Sequence, residues 1–242
     1  MQQTNETERK EYQTIAPWWH TLLLVALLLG FSLLGSLRPT HRALSQHHVG
    51  QYLATLGWEW LLALLVLWGI RVRRVPLHQL LGVRRPSLRE WREDFVLATA
   101  FWLAASIMLA ALGILFRIAH LSTPEKTIVQ LAPQNMLQLM LWCVLSISAG
   151  ICEELVFRGY LLQQFASAGQ QIYLGVFFSS LIFGIAHGYE GASGMIAITI
   201  YGALFCLLAM RRGSLRTGMM AHAWHDVFSG IALMILKHAK VL

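Results

Sequence analysis

The chain has 242 residues, of which 56% are hydrophobic and 13% charged, with a mean hydropathy of +0.55. Soluble domains carry about 25% charged residues, so most of this chain cannot face water and a polytopic membrane protein is the leading class. The net charge of +7 does not point to nucleic acid, because its placement follows membrane topology.

In chain order, residues 1–16 read as a polar N-terminal segment. Seven apolar segments follow, at Trp18–Leu37, Tyr52–Ile70, Phe95–Phe116, Met136–Cys152, Ile172–Ala186, Gly194–Met210 and Met219–Leu236. A span needs about 20 apolar residues, so the fourth and fifth are short. The first is longer than the usual apolar core of a signal peptide and is expected to remain as a helix. Trp18, Trp19, Trp58 and Trp60 sit near segment starts, as an aromatic belt would. The expected fold is all-α: a polytopic transmembrane helical bundle of about seven spans. Cys143, Cys152 and Cys206 lie within apolar runs and form neither a disulfide framework nor a CxxC pair, so they read as small core residues.

Orientation follows from the cations. Arg71, Arg73, Arg74, Arg84, Arg85, Arg89 and Arg92 crowd one loop, and Arg211, Arg212 and Arg216 flank another. With those loops inside, alternation puts Arg9, Lys10 and Arg158 inside too. Together these outnumber the cations left outside, which are Arg38, Arg42, Arg117, Lys126, Lys237 and Lys240. The positive-inside rule is met with a cytoplasmic N-terminus and an external C-terminus. A cell membrane, plasma or inner, is the expected location, and the basic loops suit anionic headgroups.

Ionisable groups inside a membrane cost about 2.5–3.5 kcal/mol each on insertion scales and are functional candidates by default. After residue 140 they fall into three groups. The first is "EELVFR", with Glu153, Glu154 and Arg158. On a helix Glu154 and Arg158 share a face and pair, while Glu153 is rotated by about 100° and stays free for chemistry. The second is "FGIAH", Phe183 to His187. The third is "HAWHD", in which His222 and Asp226 share a face and His225 lies beside them. On a straight-helix estimate Glu153 and His187 reach similar heights, whereas His222 lies only about 9 Å beyond Arg216. The three groups then meet only if the hairpin near residue 168 projects past the membrane or a helix is bent.

These motifs together resemble the CPBP family of intramembrane proteases, which includes Rce1-type CAAX prenyl endopeptidases and Abi-type bacteriocin-processing proteins. The family pattern is EExxxR, FxxxH and HxxxN or HxxxD on successive membrane helices. Here it reads Glu153-Glu154 to Arg158, Phe183 to His187 and His222 to Asp226. The resemblance covers roughly residues 135–240, which divides the chain into N-terminal membrane helices with a basic loop (17–134) and a catalytic core (135–242). It implies hydrolysis of a peptide bond in a membrane-associated or lipidated protein, or in a processed peptide. Glu153 would activate water together with His187. His222 and Asp226 would hold the oxyanion or orient the carbonyl, with Glu154, Arg158 and Phe183 in support. Asp226 stands where many members have Asn, and an ionised Asp cannot donate to an oxyanion; orienting His222 is the alternative. A divalent metal such as Zn²⁺ on Glu153, His187 and His222, with Asp226 a further candidate ligand, is as open as a metal-free glutamate mechanism.

Other residues carry blander expectations. Glu59 in "LGWEWLLALL" reads as an interfacial acid near a helix end, His225 as structural, and His41, His47 and His48 as a solvated exterior loop. The partners expected are the bilayer and a membrane-associated protein or peptide substrate, not nucleic acid. Two rivals predict different outcomes. A non-catalytic scaffold or immunity protein would keep its partner after Glu153→Gln, and a transporter would show flux in liposomes, although no inverted repeat supports one.

Overall fold

Every apolar segment becomes a helix in the computed structural model, which describes residues 12–37, 48–82, 86–121 and 129–239. The helices are α1 (Trp18–Leu37), α2 (His48–Val72), the short α3 (Leu77–Leu81), α4 (Leu88–Ile118), α5 (Met136–Glu153), α6 (Leu162–Gly169), α7 (Ile172–Ala186), α8 (Gly191–Arg212) and α9 (Arg216–His238). A π-helical stretch, Glu154–Leu161, joins α5 to α6, and a single 3₁₀ turn, Gly188–Glu190, precedes α8. Among the described residues there is no strand. Among the described residues six helical runs are long and apolar enough to cross a membrane, and α7 is a shorter apolar helix. The fold is an all-α polytopic bundle of about seven spans.

Two boundaries differ from the sequence expectation. The fourth segment does not stop at Cys152, because α5, the π stretch and α6 form one run of 34 residues, Met136–Gly169. At 1.5 Å per residue this is about 50 Å, well beyond the roughly 30 Å hydrocarbon core. A run of that length is compatible with a hairpin near residue 168 that reaches past the membrane, and Glu153 and Glu154 lie at the middle of the run. Helix α4 begins at Leu88 rather than Phe95, because Ser87 and Glu90 form a reciprocal capping box that satisfies the first free N–H groups.

Helix α5 is sandwiched between α2 and α9, α7 packs on α6 and α8, and α4 lies against α9 and α8. Close approaches use small residues, as membrane helix contacts do. A Cβ on Gly150 would stand 2.7 Å from the Met219 carbonyl, and one on Gly175 would stand 2.3 Å from the Leu162 carbonyl. The α8–α9 turn carries Gly213 at φ +64°, a left-handed position that suits glycine. Arg212 and Arg216 on either side of this turn converge on Asp94 of α4, which is fully buried and also accepts from Thr217. These two arginines, expected simply to mark a cytoplasmic loop, also anchor α4 to the turn leading into α9.

His48 is not on a solvated loop. It opens α2, is buried, and accepts from the Gln134 side-chain amide at 2.9 Å. His41 and His47 lie outside the described residues, as do residues 1–11, Arg38, Arg42, Arg84, Arg85, Lys126 and Lys240.

Candidate active site

The site is built on the junction of α5 with the π stretch. Residues here close i→i+5 turns, seen where Leu162 N–H bonds the Phe157 carbonyl. Ser179 of α7 donates to the same carbonyl at 2.7 Å, so a side chain inserts where the helix is widened. Such π segments are frequent at functional sites. All eight residues of the stretch are buried.

Within it, Glu154 Oε1 lies 3.0 Å from Arg158 Nη1, and the two side chains are 0% and 1% exposed. Arg158 is also stacked on aromatic faces, with its guanidinium carbon 4.3 Å from the Phe183 ring centre and 4.9 Å from that of Phe205. Its Nη2 donates to the Gly202 carbonyl. A charge sealed this far from water needs such compensation. Gly202 and Gly218 make room: a Cβ at Gly202 would meet Phe183 at 2.9 Å, and one at Gly218 would meet Glu154 Oε2 at 2.8 Å.

Helix α9 brings His222 onto this pair, where its Nδ1 is 3.2 Å from Glu154 Oε1. A carboxylate only accepts, so Nδ1 carries the hydrogen and Nε2 points to the other side of the ring. There it meets Glu153 Oε2 at 3.6 Å and Asp226 Oδ2 at 3.7 Å. Glu153 and Asp226 side chains keep 20% and 30% exposure, whereas Glu154 has none. The adjacent glutamates are thus separated by environment: one is sealed against arginine and histidine, the other is open.

His187 ends α7. Its Nδ1 donates to the Phe183 carbonyl at 2.9 Å, which leaves Nε2 as the ring nitrogen for other partners. The Phe183 ring packs edge-on against His187 at 4.9 Å while covering Arg158. Phe183 therefore couples the first motif to the second. Asp226 is the meeting point of the groups, within electrostatic reach of Glu153, His187, His222 and Glu190. His225 faces away, tilted against Tyr201 at 5.1 Å.

Among the described residues no three His, Cys, Asp or Glu side chains are placed to hold a metal ion, and the ring contacts of His187 are with Phe183 and Tyr189.

Three residues of the site carry no mark of it in the sequence. Glu59 reads there as interfacial; instead α2 runs from His48 to Val72, which places Glu59 mid-helix and only 7% exposed against α5. Its mid-span position, once the helix ends are known, is the signal that finds it. Ser32 of α1 donates to the Ile185 carbonyl and accepts from Gly188 N–H at 3.2 Å, bracketing His187. Glu190 follows His187 on the 3₁₀ turn and interacts electrostatically with it. Nothing in the local sequence of Ser32 or Glu190 distinguishes them from ordinary polar residues.

Residues 134–228 match the family model described as Type II CAAX prenyl endopeptidase Rce1-like. The likeness covers this segment and not the helices before it. No curated protein and no solved structure matches the chain. The matched segment contains every residue of the three motifs, while Ser32 and Glu59 come from helices that precede it.

Proposed function

We propose that the protein is an intramembrane endopeptidase in which Glu153 activates water. The observation that carries this reading is the contrast between the two glutamates. Glu154 is fully buried on Arg158 and His222, whereas the Glu153 side chain beside it keeps 20% exposure and has no arginine partner. A free, partly exposed carboxylate held 3.6 Å from a fixed imidazole is what a general base for water requires.

In the reaction, Glu153 takes a proton from water as its oxygen attacks the peptide carbonyl carbon. Negative charge then develops on the carbonyl oxygen. His222 Nε2, oriented through Nδ1 by Glu154 and Arg158, is the group next to that position, and as imidazolium it would donate to the oxyanion. Asp226, lacking a donor when ionised, holds the imidazole on its open side. Collapse of the tetrahedral intermediate breaks the C–N bond, and Glu153 returns its proton to the leaving nitrogen. His187, through Nε2, shares the handling of water on the Asp226 side. The mechanism is of the glutamate type, and no step passes through a metal.

The likeness to Rce1-like endopeptidases supports, as substrate, a membrane-associated peptide with a lipidated, CAAX-type tail. Purified protein in liposomes, incubated with a prenylated CAAX peptide and with its unprenylated twin, tests both points by mass spectrometry. Cleavage of the prenylated peptide by wild type and not by Glu153→Gln supports the reading. Equal cleavage of both peptides would remove the lipid from the substrate class, and no cleavage of either would remove CAAX tails.

A further inference from the structure

Glu59 is a buried carboxylate outside the three motifs and outside the Rce1-like segment. No Lys or Arg among the described residues pairs with it, and its Oε2 has no hydrogen-bonding partner. It projects from α2 toward α5, where Ser148 faces it as a hydrogen-bonding partner, and it lies within electrostatic reach of Glu153, His222 and Asp226. Helices α2 and α9 flank α5, so Glu59 approaches Glu153 from one flank while His222 and Asp226 approach from the other. Keeping an acid at mid-span opposes insertion and packing alike, and Leu at this position would pack at no such penalty. The acid is therefore a liability for the fold that function must justify.

A peptide drawn up to Glu153 supplies the reason. Water must reach its carbonyl, so the segment cannot stay helical, and each opened turn frees backbone N–H groups at a depth without bulk water. Those groups need acceptors fixed to the site. His222 Nδ1 and Glu154 are already engaged with one another, and Glu153 is reserved for water. We propose that Glu59 is a substrate-binding residue, its side-chain carbonyl oxygen accepting a backbone N–H of the peptide beside the bond to be cleaved. This inference rests on the endopeptidase reading, and it makes α2 part of the site.

The test uses native membranes carrying equal amounts of wild type, Glu153→Gln, Glu59→Gln and Glu59→Leu, read by terminal-peptide mass spectrometry. The signal is the set of peptide ends that require Glu153. Gln keeps a carbonyl acceptor, so Glu59→Gln retains those ends to within about threefold. Leu removes the acceptor, and loss of one hydrogen bond corresponds to about a tenfold fall. After detergent extraction Glu59→Leu melts no lower than wild type. Equal loss in Gln and Leu would show that ionisation is what matters and overturn the proposal. So would full activity of Leu, or a Leu variant that melts lower and marks Glu59 as structural. If wild type and Glu153→Gln give identical ends, the endopeptidase reading fails and takes this one with it; ends indifferent to Glu59 overturn this one alone.

Discussion

His222 Nδ1 stands 3.2 Å from Glu154 Oε1, a contact between residues 68 positions apart. The same carboxylate oxygen holds Arg158 at 3.0 Å, so one buried charge fixes both the interior of the π stretch and the ring on α9. In the reaction proposed above, the second glutamate of the EExxxR motif would orient His222.

Breaking this buried pair separates stability from chemistry. Arg158→Leu leaves Glu154 sealed without its cation and is expected to lose about 3–5 kcal/mol. The double variant Glu154→Leu with Arg158→Leu removes both charges and recovers most of that loss, yet stays inactive because His222 has no anchor. Thermal melting in detergent, alongside cleavage of the prenylated peptide, checks both halves. Recovery of activity in the double variant would contradict the orienting role.

Gly218→Ala addresses the same carboxylate from its other side. The new Cβ would lie 2.8 Å from Glu154 Oε2, so Glu154 must shift and carry the His222 ring with it. A misplaced catalytic group can lower turnover by about a hundredfold. The expected result is a large fall in kcat with expression and membrane insertion retained, measured in proteoliposomes.

Ser32→Ala removes both hydrogen bonds that bracket His187. Each contributes on the order of 1 kcal/mol, and α1 remains anchored through the stacking of Phe31 on Trp58. Cleavage should therefore fall more than melting temperature does. Ser32→Cys, which keeps a weak donor and acceptor, should restore part of the activity; a variant as active as wild type would show that the His187 turn holds itself.

The order of motifs and the helical class are legible because spans and intramembrane charges leave strong marks in sequence. Their meeting is not, since straight-helix heights leave His222 too shallow. The structure brings His222 to both glutamates beside a 34-residue run through the π stretch, a feature of backbone hydrogen bonding with no simple residue signature. The α4 start is readable in "SLRE", a capping-box pattern, but the neighbouring arginines favour a loop. Glu59 is hard to place for a related reason: its depth depends on where α2 begins, and His48 is buried against Gln134 by a contact 86 residues away. Long-range packing sets that end, and local hydropathy carries no record of it.

Peptide hydrolysis by water that Glu153 activates stands or falls on one comparison. Membranes with wild type and with Glu153→Gln at equal expression are compared by terminal-peptide mass spectrometry. Peptide ends should be present with wild type and absent with Glu153→Gln. The mutant should still fold, because Glu153 lies outside the Arg158–Glu154–His222 chain that holds the helices together. Identical sets of ends would contradict a water-activating Glu153.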